Sequence, residues 1–260
     1  MATAMAPPVP VPLPRHGRVF PAFALIGWRW ISRNPAATVA PILLPFIFLY
    51  FLKLISPPGL FPLEIIGAML FTTQNIGNWV LGDSAYWRLE SSLQDLFIVS
   101  PLGKVGYLFG IAVSNMIAAL PAYVVLGLLL ASVVHVPWVA WIALAGSVGL
   151  LWILFSAIGI AISSRLRSQR EIWPVGNLLF TSLGMLSPLY LPIWLLPHAW
   201  QSVAYFLPGT YAAVIVQSSV GLLPAGVSIG FGSLLDAGLL AVTAVVGTAL
   251  AVRLYRWQER

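Results

Sequence analysis

The sequence predicts an all-α integral membrane protein: six transmembrane helices, an N-terminal amphipathic interfacial helix, and a short re-entrant helical hairpin between spans 5 and 6. Three observations predict it. Of 260 residues, 60% are hydrophobic and only 8% charged, whereas a soluble domain carries about 25% charged residues because its surface faces water. Several segments of 20 or more residues contain no Lys, Arg, Asp or Glu, enough to cross a hydrocarbon core of about 30 Å as helix. The strand alternation and regular turn signals of an outer-membrane barrel are absent.

The elements follow in order. Residues 1–19 are Ala/Pro-rich at their start, lack the apolar core of a signal peptide, and are expected to be a disordered cytoplasmic tail. Residues 20–256 read as a single transmembrane domain. In its first segment, Phe20, Phe23, Gly27, Trp30 and Ile31 share one helical face, with Arg29 and Arg33 on another. That pattern predicts an interfacial helix whose Trp28 and Trp30 sit at headgroup level. Asn34-Pro35 ends it. Span 1 covers about 36–55, closed by Pro57-Pro58-Gly59, and span 2 about 61–82. A polar stretch, 83–104, precedes span 3 at about 105–134, in which Pro121 is an expected kink. Span 4 covers about 137–163 and span 5 about 172–187. Pro188, Pro192, Pro197 and Pro208 then divide residues 188–222 into apolar pieces too short to cross, which predicts external helices dipping into the bilayer. Span 6 covers about 228–252.

Six spans place both termini on one side, and the basic residues test this. Arg15, Arg18, Arg29, Arg33, Arg88, Lys104, Arg165, Arg167, Arg170, Arg253, Arg256 and Arg260 all fall on one face, leaving only Lys53 opposite. By the positive-inside rule that face is cytoplasmic, and the membrane is the plasma membrane. The same distribution accounts for the net charge of +6 without nucleic acid. His16, His135 and His198 follow no ligand spacing, and with no cysteine in the chain neither disulfide nor thiolate chemistry is available.

Motifs for nucleotide binding (G-x-x-x-x-G-K-[ST], G-x-G-x-x-G) and for a zinc protease (H-E-x-x-H) are missing. The chain is therefore not expected to be an enzyme; energy for any work must come from an ion gradient or a partner ATPase. The stretch between spans 2 and 3 sets Arg88, Glu90, Gln94 and Asp95 among the apolar Trp87, Leu93, Leu96 and Phe97, and closes at Pro101. This pattern suits a short helix on the membrane surface with a charged side toward a cytosolic partner, or a solvated connecting loop. Within the spans, Gln74, Asn75 and Asn78 fall within a narrow arc of span 2, Asn115 lies in span 3 and Asn177 in span 5. Such amides either bond helices together or line a path. Glu64 and Asp236, near the outer ends of spans 2 and 6, are expected at the water boundary.

Two regions carry a resemblance. Glu90, then Ser91-Ser92-Leu93-Gln94, and Ser100-Pro101 are similar to the coupling helix of ABC-2 type permeases, commonly written E-x-G-T-L-E with Ser/Thr-Pro a few residues on. Ser91-Ser92 stands where Gly-Thr is usual, and Gln94 replaces the acidic residue. Ser187-Pro188-Leu189-Tyr190-Leu191-Pro192, Leu196-Pro197 and Leu207-Pro208-Gly209-Thr210-Tyr211 resemble that family's region of two short external helices, with Pro188 in place of a glycine. The resemblance extends from about Phe20 to Arg256 and includes permeases of the daunorubicin- and drug-exporter type. It implies an ATP-driven exporter of a hydrophobic or amphipathic substrate (drug, lipid or glycan). It further implies two copies of a separate ATP-binding subunit that hold ATP and Mg, a second permease copy or paralogue, and no cofactor on this chain. The alternative is a secondary transporter or channel, which needs an ionisable residue deep in a span. A lipid-modifying enzyme would need clustered catalytic groups that the sequence lacks.

Overall fold

A computed structural model describes residues 19–57, 59–91, 93–98, 103–223, 227 and 229–255, and among these the chain is helical with no strand. Helix α1 (Val19–Arg33) is followed by α2 (Pro35–Ile55) and α3 (Phe61–Leu89). Proline stands in the first turn of both α2 and α3, where its missing N–H would have had no helical partner. Next come α4 (Leu93–Ile98), α5 (Gly103–Val133) and α6 (Trp138–Ser163). The fifth apolar stretch is composite: α7 (Ile172–Gly176), a π-helical turn Asn177–Thr181, and α8 (Ser182–Leu186). After it come a 3-10 turn Ile193–Leu195, α9 (His198–Ala204), α10 (Pro208–Val220) and α11 (Ser233–Leu254).

Helices α5, α6 and α11 are each long and apolar enough to cross a membrane, and α9 with α10 forms a pair bent by 107°. Helix α3 is the axis of the fold. It packs against α2, α5, α6, α10 and the fifth stretch, and nearly every residue from Pro62 to Leu81 is buried. A helix lined by protein on all sides can carry Thr72, Thr73, Gln74 and Asn78 that a lipid-facing helix could not. Its 29 residues extend about 43 Å, more than the bilayer core.

Close approach is made possible by glycine. A Cβ at Gly159 would collide with the Gly77 carbonyl of α3, and one at Gly77 would meet the Phe180 ring and, at 2.7 Å, the Phe155 carbonyl. Helices α3 and α6 therefore cross backbone to backbone, with the π turn wedged beside them. Gly77→Leu or Gly159→Leu is expected to abolish recovery of monodisperse protein, since overpacking a filled core costs about 1–3 kcal/mol and here the obstruction is main chain. Gly146→Leu and Gly149→Leu, where nothing lies within 4 Å, should leave it unchanged on size-exclusion chromatography.

Several boundaries differ from those expected. Helix α3 continues to Leu89 rather than ending near Gly82, because no breaker occurs between Asp83 and Arg88 and the chain turns only at Glu90. Helix α11 begins at Ser233, not 228, after Gly230 and Gly232 with positive φ; Ser228 itself is outside the described residues. Pro121 lies inside α5, which continues unbroken to Val133. In α1 the buried side is narrower than its sequence suggested. Phe23 and Gly27 face α5, with Gly27 against the Ser114 main chain, while Trp30 is exposed along with Leu25, Ile26 and Trp28. The prolines of 188–222 start elements more than they interrupt them: Pro192 and Pro197 are the N-cap residues of the 3-10 turn and α9, and Pro208 opens α10.

Candidate coupling face and intramembrane seam

The ends of α3, α5, α6 and α11 that carry Arg88, Lys104, Arg165 and Arg253 meet around α4. Phe97 of α4 packs on Phe23 of α1 (5.7 Å between ring centroids), Trp87 of α3 (6.0 Å, stacked) and Tyr107 of α5 (5.2 Å). Aromatic pairs of this kind contribute about 0.5–1.5 kcal/mol each beyond area burial. Trp87 and Phe97, two of the expected anchors, thus fix α4 to three other helices; Leu93 is half-buried.

Of the polar residues expected on a partner-facing surface, two turn inward. Gln94 is 1% exposed, and its Oε1 accepts a hydrogen bond of 2.8 Å from the Tyr255 hydroxyl. The Arg88 guanidinium donates through one nitrogen to the carbonyls of Ser163 (2.7 Å) and Leu166 (2.5 Å). It caps the end of α6, where carbonyls have no helical donor and the helix dipole favours a cation. The physical reason in both cases is that the fold brings the carbonyls at the end of α6, and a buried phenol, within reach of these side chains. Glu90 is exposed and Asp95 half-buried, so of these four residues they are the two that turn outward. Pro101 is outside the described residues, as are Ser92 and Ser100.

Tyr255, which sequence reading passed over, is the centre of this cluster. Its carbonyl accepts from Lys104 Nζ at 2.9 Å, and the same ammonium lies 5.8 Å from its ring centroid. Burial pushes its phenol above the ordinary tyrosine range, partly offset by hydrogen bonds with Ser84 and Tyr107. The hydroxyl therefore stays protonated and remains a donor to Gln94 across the physiological range. Ser163 of α6 donates to Ser84 of α3 at 2.9 Å, closing the ring of helix ends. The only sequence signal for Tyr255 was its position just beyond the last apolar span.

Deeper in the protein, a second polar group lies between α3 and the fifth stretch. Asn78 Nδ2 donates to Asn177 Oδ1 at 2.9 Å, and Gln74 Nε2 to the Phe180 carbonyl at 3.3 Å. Both acceptors belong to the π turn, the first a side-chain oxygen and the second a main-chain carbonyl. Gly176 leaves the space that the Asn78 side chain fills. Asn75 is half-buried and bonds its own helix at Phe71 (3.1 Å), while Asn115 donates to the Asp83 carboxylate, joining α5 to α3 at 2.8 Å. The structure thus brings Gln74, Asn78 and Asn177 together and leaves Asn75 and Asn115 apart from them. Alanine at Asn78 and at Asn177 is expected to show coupling of about 0.6 kcal/mol in a double-mutant cycle of unfolding midpoints, the usual size for interhelical bonds in a bilayer. Additive effects would mean the pair does not hold the seam.

Around the bent pair, Pro188 and Pro192 are buried, Pro197 exposed, and Pro208 and Tyr211 half-buried. Tyr211 donates its hydroxyl to the Tyr205 carbonyl at 2.6 Å, and the Tyr205 hydroxyl accepts from the Gly230 amide at 3.1 Å. Glu64 and Asp236, expected at the water boundary, are instead fully buried, each 0% exposed. For Asp236 the cause is local: the chain folds back so that its carboxylate accepts from the Phe231 amide at 3.2 Å. Among the described residues no group of His, Cys, Asp and Glu could hold a metal ion.

A bundle of apolar helices around a buried polar axis, with a short amphipathic helix seated across the basic helix ends, is the build of a multi-pass membrane domain. The family model for ABC-2 type transporters matches residues 20–220. The chain belongs to that family and is a membrane permease of an ABC transporter. No curated protein matches it.

Proposed function

We propose that this chain is the membrane half of an ATP-driven exporter, coupled to a separate ATP-binding subunit through α4 and the adjoining Glu90. The observation that carries this reading is the seating of α4. Its three aromatic contacts and one amide contact tie it to α1, α3, α5 and the end of α11, while Glu90 remains exposed. Closure of the ATP-binding subunits would push on that surface, and the attached helix ends would move as one body between inward- and outward-facing states. ATP and Mg belong to the partner. Family membership supports two such subunits and two permease copies, because one bundle leaves no enclosed path.

Six crossings are part of the proposal: α2, α3, α5, α6, the composite fifth stretch and α11, with α9–α10 as a re-entrant hairpin. The fifth stretch, 15 residues from Ile172 to Leu186, extends about 22 Å, short of the bilayer, which is what a chain that turns back within the outer leaflet requires. This arrangement puts both termini in the cytoplasm of a cell whose plasma membrane holds the protein. A reporter fused after Arg260 that is active only outside the cell would contradict it. The substrate is a hydrophobic or amphipathic molecule, and Asn75, with the Gln74–Asn78–Asn177 seam behind it and Asn115 nearer the basic end, would contribute to the path.

Co-purification tests the coupling. Wild type should recover an ATP-binding subunit from its native membrane, and Glu90→Ala/Asp95→Ala should recover markedly less while inserting normally. Equal recovery by both would sink the assignment. A second reading, ion-coupled transport, is favoured by one observation: Glu64 is fully buried, with the Ser56 hydroxyl beside its carboxylate. It predicts transport that survives removal of the ATP-binding subunit and fails in Glu64→Gln.

A further inference from the structure

Helix α3 is buried at every position from Pro62 to Gln74, and from there on one face of it opens. Asn75, Trp79 and Gly82 are half-buried and Asp83 and Tyr86 exposed, while the residues between them are buried. At the α-helical repeat these positions fall within about 100° of arc. They form a furrow that starts at mid-helix and runs to the basic end. On one side is α5, where Asn115 reaches Asp83; on the other is α7, where Ile172 lies 3.8 Å from the Cβ position of Gly82. Toward the other end the furrow stops at Phe71, one turn before Asn75, whose ring packs against Phe48 and Tyr190 at 6.3 and 5.4 Å.

Asp83 is the one carboxylate in this furrow. It is reachable from outside the bundle yet crowded by protein, as a group at the foot of a recess is. Its Oδ2 accepts from Asn115 at 2.8 Å, which leaves Oδ1 open, and among the described residues no cation pairs with it. Arg88 points about 140° round α3 from Asp83 and is bonded to the end of α6. A carboxylate turned to acyl chains is costly, and such groups in membrane proteins face protein or a watery cavity. Trp79 and Tyr86 stand one turn to either side of Asp83 on the same face. A carboxylate between two aromatic rings is a combination that holds an organic cation, by direct charge attraction and through the negative faces of the rings.

We propose that this furrow is the cytoplasmic entry site for substrate and that Asp83 selects an amphipathic organic cation. The charged group sits at Asp83, and the apolar body lies along Trp79 toward Asn75. Asn75 is eight residues before Asp83, about 12 Å of helix rise, which sets the length of that body. The inference rests on the export reading and deepens it, narrowing a hydrophobic or amphipathic substrate to a cationic one.

Binding of radiolabelled tetraphenylphosphonium to the full chain in phosphatidylcholine nanodiscs tests this. No ATP-binding subunit is present, so failure here leaves the coupling assignment standing, and failure of coupling leaves this result standing. Wild type should bind the cation saturably, and triphenylphosphine oxide, uncharged and similar in bulk, should compete about tenfold less well than the unlabelled cation. Asp83→Asn keeps the shape and the bond from Asn115. It should weaken cation binding about tenfold and bring the two competitors close to parity, while Asp83→Glu should restore most of the preference. Tyr86→Leu, at an exposed position, should weaken the cation severalfold and keep the preference for charge. Should Asp83→Asn not be recovered, the wild-type competition and Tyr86→Leu decide. No saturable binding by wild type, equal competition by the neutral compound, or undiminished binding in Asp83→Asn would overturn the proposal. So would an Asp83→Asn chain that loses self-association and keeps cation binding, since Asp83 would then pair with a basic residue of a second copy.

Discussion

Tyr255→Phe is expected to uncouple the assembled transporter while leaving it folded. The substitution keeps the ring, so the Lys104 contact and the main-chain bond to the Tyr255 carbonyl survive. It removes the hydroxyl, which donates to Gln94 and also bonds with Ser84 and Tyr107. The buried Gln94 oxygen is then left without its donor, at a cost of about 1–2 kcal/mol, or a factor of about 5–30 in how firmly α4 is seated. Since α4 is short and has no other hydrogen bond from its side chains to α11 among the described residues, this loss falls on the link between the coupling surface and the last helix. Substrate-stimulated ATP turnover should drop severalfold with basal turnover and subunit recovery close to wild type. A parallel fall in assembly and basal rate would mean Tyr255 is merely structural.

Arg88→Leu is expected to have the larger effect on stability. One guanidinium nitrogen satisfies two carbonyls at the end of α6, and charge-assisted bonds of this type are worth about 1.5–3 kcal/mol. Losing both, with the favourable charge at the helix C-terminus, should lower the thermal midpoint of the purified permease by several degrees or prevent its recovery. Because a single nitrogen makes both bonds, Arg88→Lys should restore part of the loss, which a purely geometric fork would not allow. If Arg88→Leu unfolds like wild type, the cap is not a stabilising feature and Arg88 returns to the set of partner-facing residues.

These two residues also show how far sequence carried the structure. Long apolar runs separated by Pro and Gly mark the helices well, because burial in lipid demands uninterrupted apolar length. The spacing of Trp87 and Phe97 marked the anchored side of α4. What remained hidden was tertiary. Tyr255 and Gln94 are 161 positions apart, and nothing local distinguishes a glutamine that faces a partner from one that faces a buried phenol. Charge misled in the same way at Arg88, Glu64 and Asp236: each is polar enough to be placed in water, yet each is drawn inward, two of them by main-chain groups that the fold brings close. The π turn at Asn177–Thr181 has no sequence mark at all; it emerges from the fit of Gly176 to Asn78 and of Gly77 to Phe180.

The coupling assignment is tested most directly by cross-linking, which the chain's lack of cysteine makes clean. A single cysteine at Glu90 or Asp95, paired with single cysteines across the docking surface of the ATP-binding subunit, should give a permease–ATPase adduct whose yield changes when ATP is bound. A cysteine at Phe206, exposed at the turn between α9 and α10, should give none. Adducts from Phe206, or none from Glu90 and Asp95 in an ATP-hydrolysing complex, would contradict the account.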